Sequence, residues 1–187
     1  MTLDILLLGP PGAGKGTQGA LLAQRLGLPK FATGDLLRDA VKRGTPLGLK
    51  AKAVMEAGGL VSDDLILGVV GDEVAKAAAG VIFDGVVRTI PQAEGVRKIL
   101  TGLGRQMNVV LFFDVADAEL LARIDKRRGV EGRADDDPAA VAVRLKAYRE
   151  QTAPVLDWYR AHGTVHTIDA VGTVEQVSER VRKILGK

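Results

Sequence analysis

One run in this chain has the residue types and spacing to handle phosphate: Gly9-Pro10-Pro11-Gly12-Ala13-Gly14-Lys15-Gly16-Thr17. Its glycines let the backbone turn tightly and aim successive N–H groups inward, making a concavity for phosphate oxygens at a helix N-terminus. Lys15 adds a mobile positive charge for β- and γ-phosphates. A plain glycine-rich turn could also join strand to helix, but G-x-x-x-x-G-K directly after an apolar run is a specific signal for nucleotide phosphate. The residue after the lysine, commonly a hydroxyl that ligates magnesium, is Gly16; the hydroxyl comes one place later on Thr17, a weaker metal candidate. Farther along, Arg123, Arg127, Arg133 and Arg144 gather more positive charge. Arg123 and Arg127, four apart, share a helix face. Taken alone, that set also fits a solvated basic helix end.

The elements that must position these groups alternate in kind. Short apolar runs rich in β-branched or aromatic residues, at 3–8, 80–83, 109–114 and 165–168, read as strands. Helical apolar spacing covers 18–26, 63–79, 91–103, 117–127, 138–161 and 173–185, with Asp63, Asp117, Asp137 and Thr173 as helix-start residues and Pro138 in a first turn. This alternation predicts an α/β fold, a doubly wound parallel sheet with helices on both faces. Its ligand belongs at the carboxyl ends of the strands, where Gly9, Asp84 and Asp114 fall. Residues 32–61 interrupt the pattern with helical spacing only, punctuated by Gly44-Thr45-Pro46 and Gly58-Gly59, and read as an inserted helical lobe. The expected organisation is one domain over 1–187: a core of 1–31, 62–128 and 134–187, the lobe 32–61, and a short lid loop 129–133.

Composition bounds the function. With 187 residues, 47% hydrophobic and 26% charged, the chain suits one globular domain with a sizeable core. A net charge of +3 is too mild to argue for nucleic acid or an anionic membrane. The absence of cysteine excludes disulfides, thiol chemistry and cysteine-ligated structural zinc. Neither an export signal nor a spanning apolar run is apparent, so a cytoplasmic protein without membrane association is expected.

Separated motifs, in order over essentially the whole chain, resemble those of adenylate kinases and their nucleoside monophosphate kinase relatives, of the short type without a large lid domain. The loop 9–17 resembles G-x-P-G-x-G-K-G-T. Ala32-Thr33-Gly34-Asp35-Leu36-Leu37-Arg38 resembles the T-G-D-x-x-R signature that opens the AMP-binding lobe, and Gly58-Gly59-Leu60-Val61 its return strand. Phe83-Asp84-Gly85-Val86-Val87-Arg88-Thr89-Ile90-Pro91-Gln92-Ala93-Glu94 is similar to D-G-F-P-R-T-x-x-Q-A-E. The resemblance implies ATP phosphates on Gly12, Ala13, Gly14, Lys15, Gly16 and Thr17, with the ATP adenine against Arg123 and the Gly172 backbone carbonyl. It implies AMP held by Thr33, Arg38, the Val61 carbonyl, Gly85, Arg88 and Gln92, with Arg133 and Arg144 also reaching AMP. Lys15, Arg88, Arg127, Arg133 and Arg144 would surround the transferring phosphate as the catalytic set, Arg127 also touching ATP, and Asp135-Asp136 would orient these arginines. Asp84 would order water around Mg²⁺ carried with ATP. Read in isolation, Thr33-Gly34-Asp35 is also a good helix-entry turn, Arg38 a surface charge, Asp84 a turn residue and Gln92 a surface residue. Val86-Val87 stands where the family carries Phe-Pro. A trans bond is expected there, because a non-proline cis bond costs roughly 2.5–4 kcal/mol. His162, His166, Trp158 and Tyr159 fall outside every motif and read as packing or surface residues.

The implied activity is reversible transfer of a phosphoryl group from ATP to AMP, giving two ADP, by a monomer whose partners are these nucleotides. No general base stands out and none is needed, since the second pKa of a phosphate monoester is about 6 and its oxygen is already anionic near neutrality. The obstacle is repulsion between polyanions, which a cage of cations removes. A uridylate/cytidylate kinase is the nearest rival; Thr33 and Thr89 favour AMP, because those relatives typically carry Ala and Asn there. A guanine-specific P-loop switch would need N-K-x-D, yet the sole asparagine, Asn108, precedes Val109.

Overall fold

Ile5, Leu6, Leu7 and Leu8 are all buried, so β1 (Ile5–Leu8) is covered on both faces, as a central parallel strand must be. The computed structural model describes residues 2–163 and 165–186; residues 1, 164 and 187 of the expected domain lie outside them. Among the described residues the sheet has five strands in the order β2-β3-β1-β4-β5, with β2 (Lys30–Ala32), β3 (Ile82–Asp84), β4 (Val109–Asp114) and β5 (Val165–Asp169). Every pairing is parallel, and Leu7 stands opposite Asp84 on one side and Leu111 on the other.

Side chains alternate across a strand, and β1 therefore feeds separate cores. Ile5 and Leu7 pack with Leu22, Leu120, Val177 and Val181 of α1 (Lys15–Leu26), α6 (Asp117–Glu131) and α9 (Val174–Leu185). Leu6 and Leu8 pack with Val70, Val96, Leu100 and Val155 of α4 (Asp63–Lys76), α5 (Ile90–Gly102) and α8 (Ala153–His162). The inserted segment forms α2 (Thr33–Lys42) and α3 (Pro46–Glu56), the latter capped by the Thr45 hydroxyl accepting from the Gly48 N–H. It ends at Gly58, φ +76°, pressed on α7 (Pro138–Ala147) so closely that a Cβ would lie 2.3 Å from the Ala140 carbonyl oxygen. No helix among the described residues is long and apolar enough to cross a membrane.

Several boundaries differ from expectation. β2 is an additional strand. Helix α1 starts at Lys15 rather than residue 18, because Gly14 in the left-handed region serves as its N-cap. Residues 58–61 form no strand, and residues 129–131 belong to α6, which leaves only Gly132 and Arg133 of the expected lid loop before the 3₁₀ turn Ala134–Asp136. The helix expected over 138–161 is interrupted by a π-helical turn, Tyr148–Thr152. Asp137 and Thr173 cap as expected, Thr173 through a capping box with Gln176. Asp63 and Asp117 instead occupy first helical positions behind Ser62 and Ala116, where the dipole still favours a carboxylate. No cis peptide bond occurs among the described residues, so Val86–Val87 is trans.

At the amino edge of the sheet, opposite the phosphate loop, Asp4 and Arg105 form an ion pair that is 0% and 7% exposed at the side chains. The Asp4 carboxylate accepts from Arg105 Nε (2.9 Å), Arg105 Nη2 and the Val81 N–H (3.1 Å), while Arg105 Nη1 donates to the carbonyls of Val74 and Ala77. One guanidinium thus joins β1 to the end of α4 and the entry of β3. Arg105→Ala is expected to cost roughly 3–5 kcal/mol, because it strands a buried carboxylate. Urea unfolding checks this, and nucleotide affinity should be unchanged, since the pair lies away from the cleft.

Candidate active site

The loop after β1 folds over the end of β4. Gly9, φ +143°, makes this approach possible, since a Cβ there would lie 2.7 Å from the Phe113 carbonyl oxygen. Lys15 turns back on the loop and donates to the carbonyls of Gly9 (2.7 Å) and Pro10 (2.8 Å). Burial pushes its ammonium down to about 8; Asp84 opposes the shift, while Arg88, Arg144 and Arg127 add to it. These groups therefore share one electrostatic environment.

Above the loop opens a cleft of about 980 Å³, at the upper end of what a drug-sized ligand fills. Residues 12–17, Thr33, Arg38, Val61, Asp84, Gly85, Arg88, Gln92, Arg123, Arg127, Arg133, Arg144 and Gly172 all line it. The structure thus brings together every residue singled out from the sequence for nucleotide contact. His162 and His166 lie elsewhere, His162 stacking on Trp158, and Tyr159 is buried in a core.

On the side of the lobe, hydrogen bonds fix the loop after β3. The Thr33 hydroxyl donates to the Gly85 carbonyl (2.8 Å), which also accepts from Arg88 Nε (2.9 Å). Gln92, 2% exposed, accepts the Arg88 N–H at Oε1 (2.7 Å). Thr33 and Gln92 are thus partly spent on the protein itself, and what they retain for the cleft is an oxygen lone pair and the Nε2 amide, respectively. Thr89 caps α5 by accepting from the Gln92 N–H and donates to Asp63 (2.9 Å). Burial pushes the Arg88 guanidinium down to about 10, with Arg144 and Arg38 adding to the shift and Asp84 and Asp135 opposing it. Arg88, half-buried, lines the cleft.

Opposite, adjacent carboxylates on the 3₁₀ turn gather the arginines. Asp136 accepts from Arg127 Nε (2.7 Å) and Nη2 (2.6 Å) and from Arg144 Nη1 (2.9 Å). Asp135 accepts from Arg133 Nε (3.1 Å) and Nη2 (2.9 Å), with Arg144 at 3.0 Å and Arg38 at 3.8 Å. Burial pushes the Asp135 carboxyl up, but the hydrogen bond from Arg133 and the charges of Arg144, Arg133 and Arg38 outweigh it and hold the group at about 2. Arg123 donates to Glu119 (2.8 Å) and to the Ala170 carbonyl (2.9 Å), close to Gly172. Lys30, not foreseen from the sequence, lines the cleft 3.6 Å from both Asp84 and Asp35. Its signal was hidden because the strand that carries it, β2, has only three residues and no alternation to read.

The sequence profile of the family described as adenylate kinase matches residues 7–164. An adenylate kinase of Gemmatimonas aurantiaca is 48% identical over 97% of this chain and 98% of its own length. One from Thermus thermophilus is 47% identical over 97% and 96%, and one from Xanthomonas oryzae pv. oryzae 45% identical over 99% and 100%.

The pairing of Asp135 has a consequence for acid stability. Its folded pKa lies below the unfolded value of 3.8, so the unfolded chain binds more protons between about pH 4 and pH 2. The stabilisation is present above that window and is lost as pH falls through it. In Asp135→Asn, thermal unfolding should be less stable near neutrality and its Tm should fall less steeply between pH 5 and pH 3 than in the parent chain.

Proposed function

This chain belongs to the adenylate kinase family, and we propose that its cleft transfers the γ-phosphoryl group of ATP to AMP, reversibly giving two ADP, using the residues that line it. The observation that carries the assignment of residues is the convergence of Lys15, Arg88, Arg127 and Arg144, from separate segments, on one cleft. ATP lies with its phosphates on residues 12–17 and its adenine between Arg123 and Gly172. AMP lies under the lobe 32–61, with its base at Thr33, Gln92 and the Val61 carbonyl and its phosphate at Arg38 and Arg88, beside Gly85. Arg127, Arg133 and Arg144 surround the group in transit.

Among the described residues no cluster of three or more His, Cys, Asp or Glu could hold a metal ion. Asp84, half-buried and beside Gly16 of the phosphate loop, is a hard oxygen donor suited to Mg²⁺ that stays on phosphate oxygens and water, with Thr17 a lesser contributor. Bound there, the ion would neutralise charge on the β- and γ-oxygens. The chain's own work is positional and electrostatic. Lys15 exchanges the Gly9 and Pro10 carbonyls for phosphate, and the arginines exchange carboxylate and carbonyl partners for developing anionic charge. The acceptor oxygen needs no base, and water must be kept out so that AMP rather than solvent receives the phosphoryl group. All these groups come from one chain, in keeping with a monomeric enzyme.

Lys15→Met is expected to fold normally and to lose phosphoryl transfer by about two orders of magnitude or more, as read by a coupled assay beside circular dichroism. Turnover near that of the parent would remove the loop from the mechanism. The parent chain should favour AMP over CMP in kcat/KM by more than about tenfold, because the wrong base leaves buried polar groups unpaired. Equal values would assign the site to a pyrimidine nucleotide instead.

A further inference from the structure

A hydroxyl on the helices behind the cleft holds the backbone of Arg88. Helices α7 and α8 run on from one another through the π-helical turn, in which the Ala153 N–H donates to the Tyr148 carbonyl. Pro154 accounts for the turn: it has no N–H for the carbonyl of Glu150, and its ring would crowd that carbonyl in an α-helix, so the register widens. At about 100° per residue, an unbroken helix would place Thr152 about 80° around from Arg144. The residue inserted by the π turn rotates it back by about 100°, onto nearly the same face. From that face Arg144 enters the cleft, and Thr152, 9% exposed, donates its hydroxyl to the Arg88 carbonyl at 2.9 Å.

Arg88 is otherwise held by its own neighbourhood, through its N–H on Gln92 and its Nε on Gly85. Thr152 ties that neighbourhood to the helices that carry Arg144. We propose that Thr152 is a positioning residue for phosphoryl transfer: through the Arg88 carbonyl it sets the Arg88 guanidinium relative to Arg144 at the acceptor phosphate. The proposal rests on reading Arg88 as the arginine that binds the AMP phosphate. Without the hydroxyl, the part-buried Arg88 carbonyl loses its partner, and a shift of the loop to satisfy it would carry Arg88 along.

Steady-state kinetics of Thr152→Val, Thr152→Ser and Arg88→Ala, with the Thr152→Val, Arg88→Ala double variant and thermal unfolding of each, test this. Thr152→Val should raise the KM for AMP roughly tenfold while the KM for ATP stays within about twofold, and Thr152→Ser, which keeps the hydroxyl, should stay near the parent. In the Arg88→Ala background the valine should add less than about twofold, since no guanidinium remains to be misplaced. A merely structural hydroxyl would lower Tm but leave the ratio of the two KM values unmoved, or raise it equally in both backgrounds, and either result overturns the proposal. Should the valine variant not fold, Thr152→Ala carries the same expectations. An Arg88→Ala variant with the parent's KM for AMP would overturn the reading of Arg88 itself and this inference with it, whereas an altered Arg88→Ala beside an unaltered Thr152→Val overturns only the inference.

Discussion

Cations that are to meet polyphosphates repel one another before any phosphate arrives, and the cleft depends on how that repulsion is contained. At contact distances in a poorly solvated site, like charges cost several kcal/mol. Asp135 and Asp136 contain it for Arg127, Arg133 and Arg144, and they do so from neighbouring positions on a single tight turn. The arginines are thereby oriented before substrate binds, which is the condition under which fixed charges lower a barrier without reorganising. Lys15 and Arg88 are held differently, by uncharged carbonyls, and both have their pKa pulled down. Among the described residues neither donates to a carboxylate, although Asp84 acts on both through space, so an incoming anion meets their charge without displacing an acidic partner.

The topology supplies the meeting place. Because β1 is hydrogen-bonded to β3 on one side and β4 on the other, the loops that leave β1 and β3 emerge side by side. Lys15 follows one, and Asp84 and Arg88 lie on the other. The arginines of α6 and α7 come in from the far side of the phosphate loop, after β4. The burial that fixes this arrangement is ordinary: alternate residues of β1 serve opposite cores, and the Asp4–Arg105 pair locks the edge where no chemistry occurs.

What the sequence could reveal followed the strength of each local signal. The strand Val109–Asp114 has the bounds its run of valine, leucine and phenylalanine indicates, and Asp137 and Thr173 cap where their hydrogen-bonding chemistry suits. The strand Lys30–Ala32 has no such signal, since it owes its form to pairing with β3 rather than to its own residues. Helix α1 begins inside the glycine-rich motif, where propensity argues against a helix and the phosphate loop's geometry imposes one. Residues 129–131 look like a loop because of Gly129, yet they extend α6 to a left-handed Gly132. The π turn breaks a helix that the spacing over 138–161 presents as continuous; Pro154 accounts for the break, but the proline alone does not say that Thr152 would turn toward Arg88. The residues lining the cleft were more legible than these boundaries, because motifs preserve residue identity even where element ends shift.

The contact at Gly58 separates two kinds of tolerance in this molecule. The lobe meets α7 there mainly through backbone, the Ala140 carbonyl lying nearest, with the Cγ of Arg144 beside it 3.0 Å from where a Cβ would stand. Any Cβ at that position acts as a wedge whatever its polarity, and it would lift the end of the lobe away from the helix that carries Arg144. Chemistry is irrelevant there; thickness is everything. Val130 offers the contrast, 80% exposed on the last turn of α6 at the rim of the cleft, where no backbone presses on it. The spacing between the lobe and the arginine helix is therefore set by a gauge of atomic radii rather than by an adjustable bond.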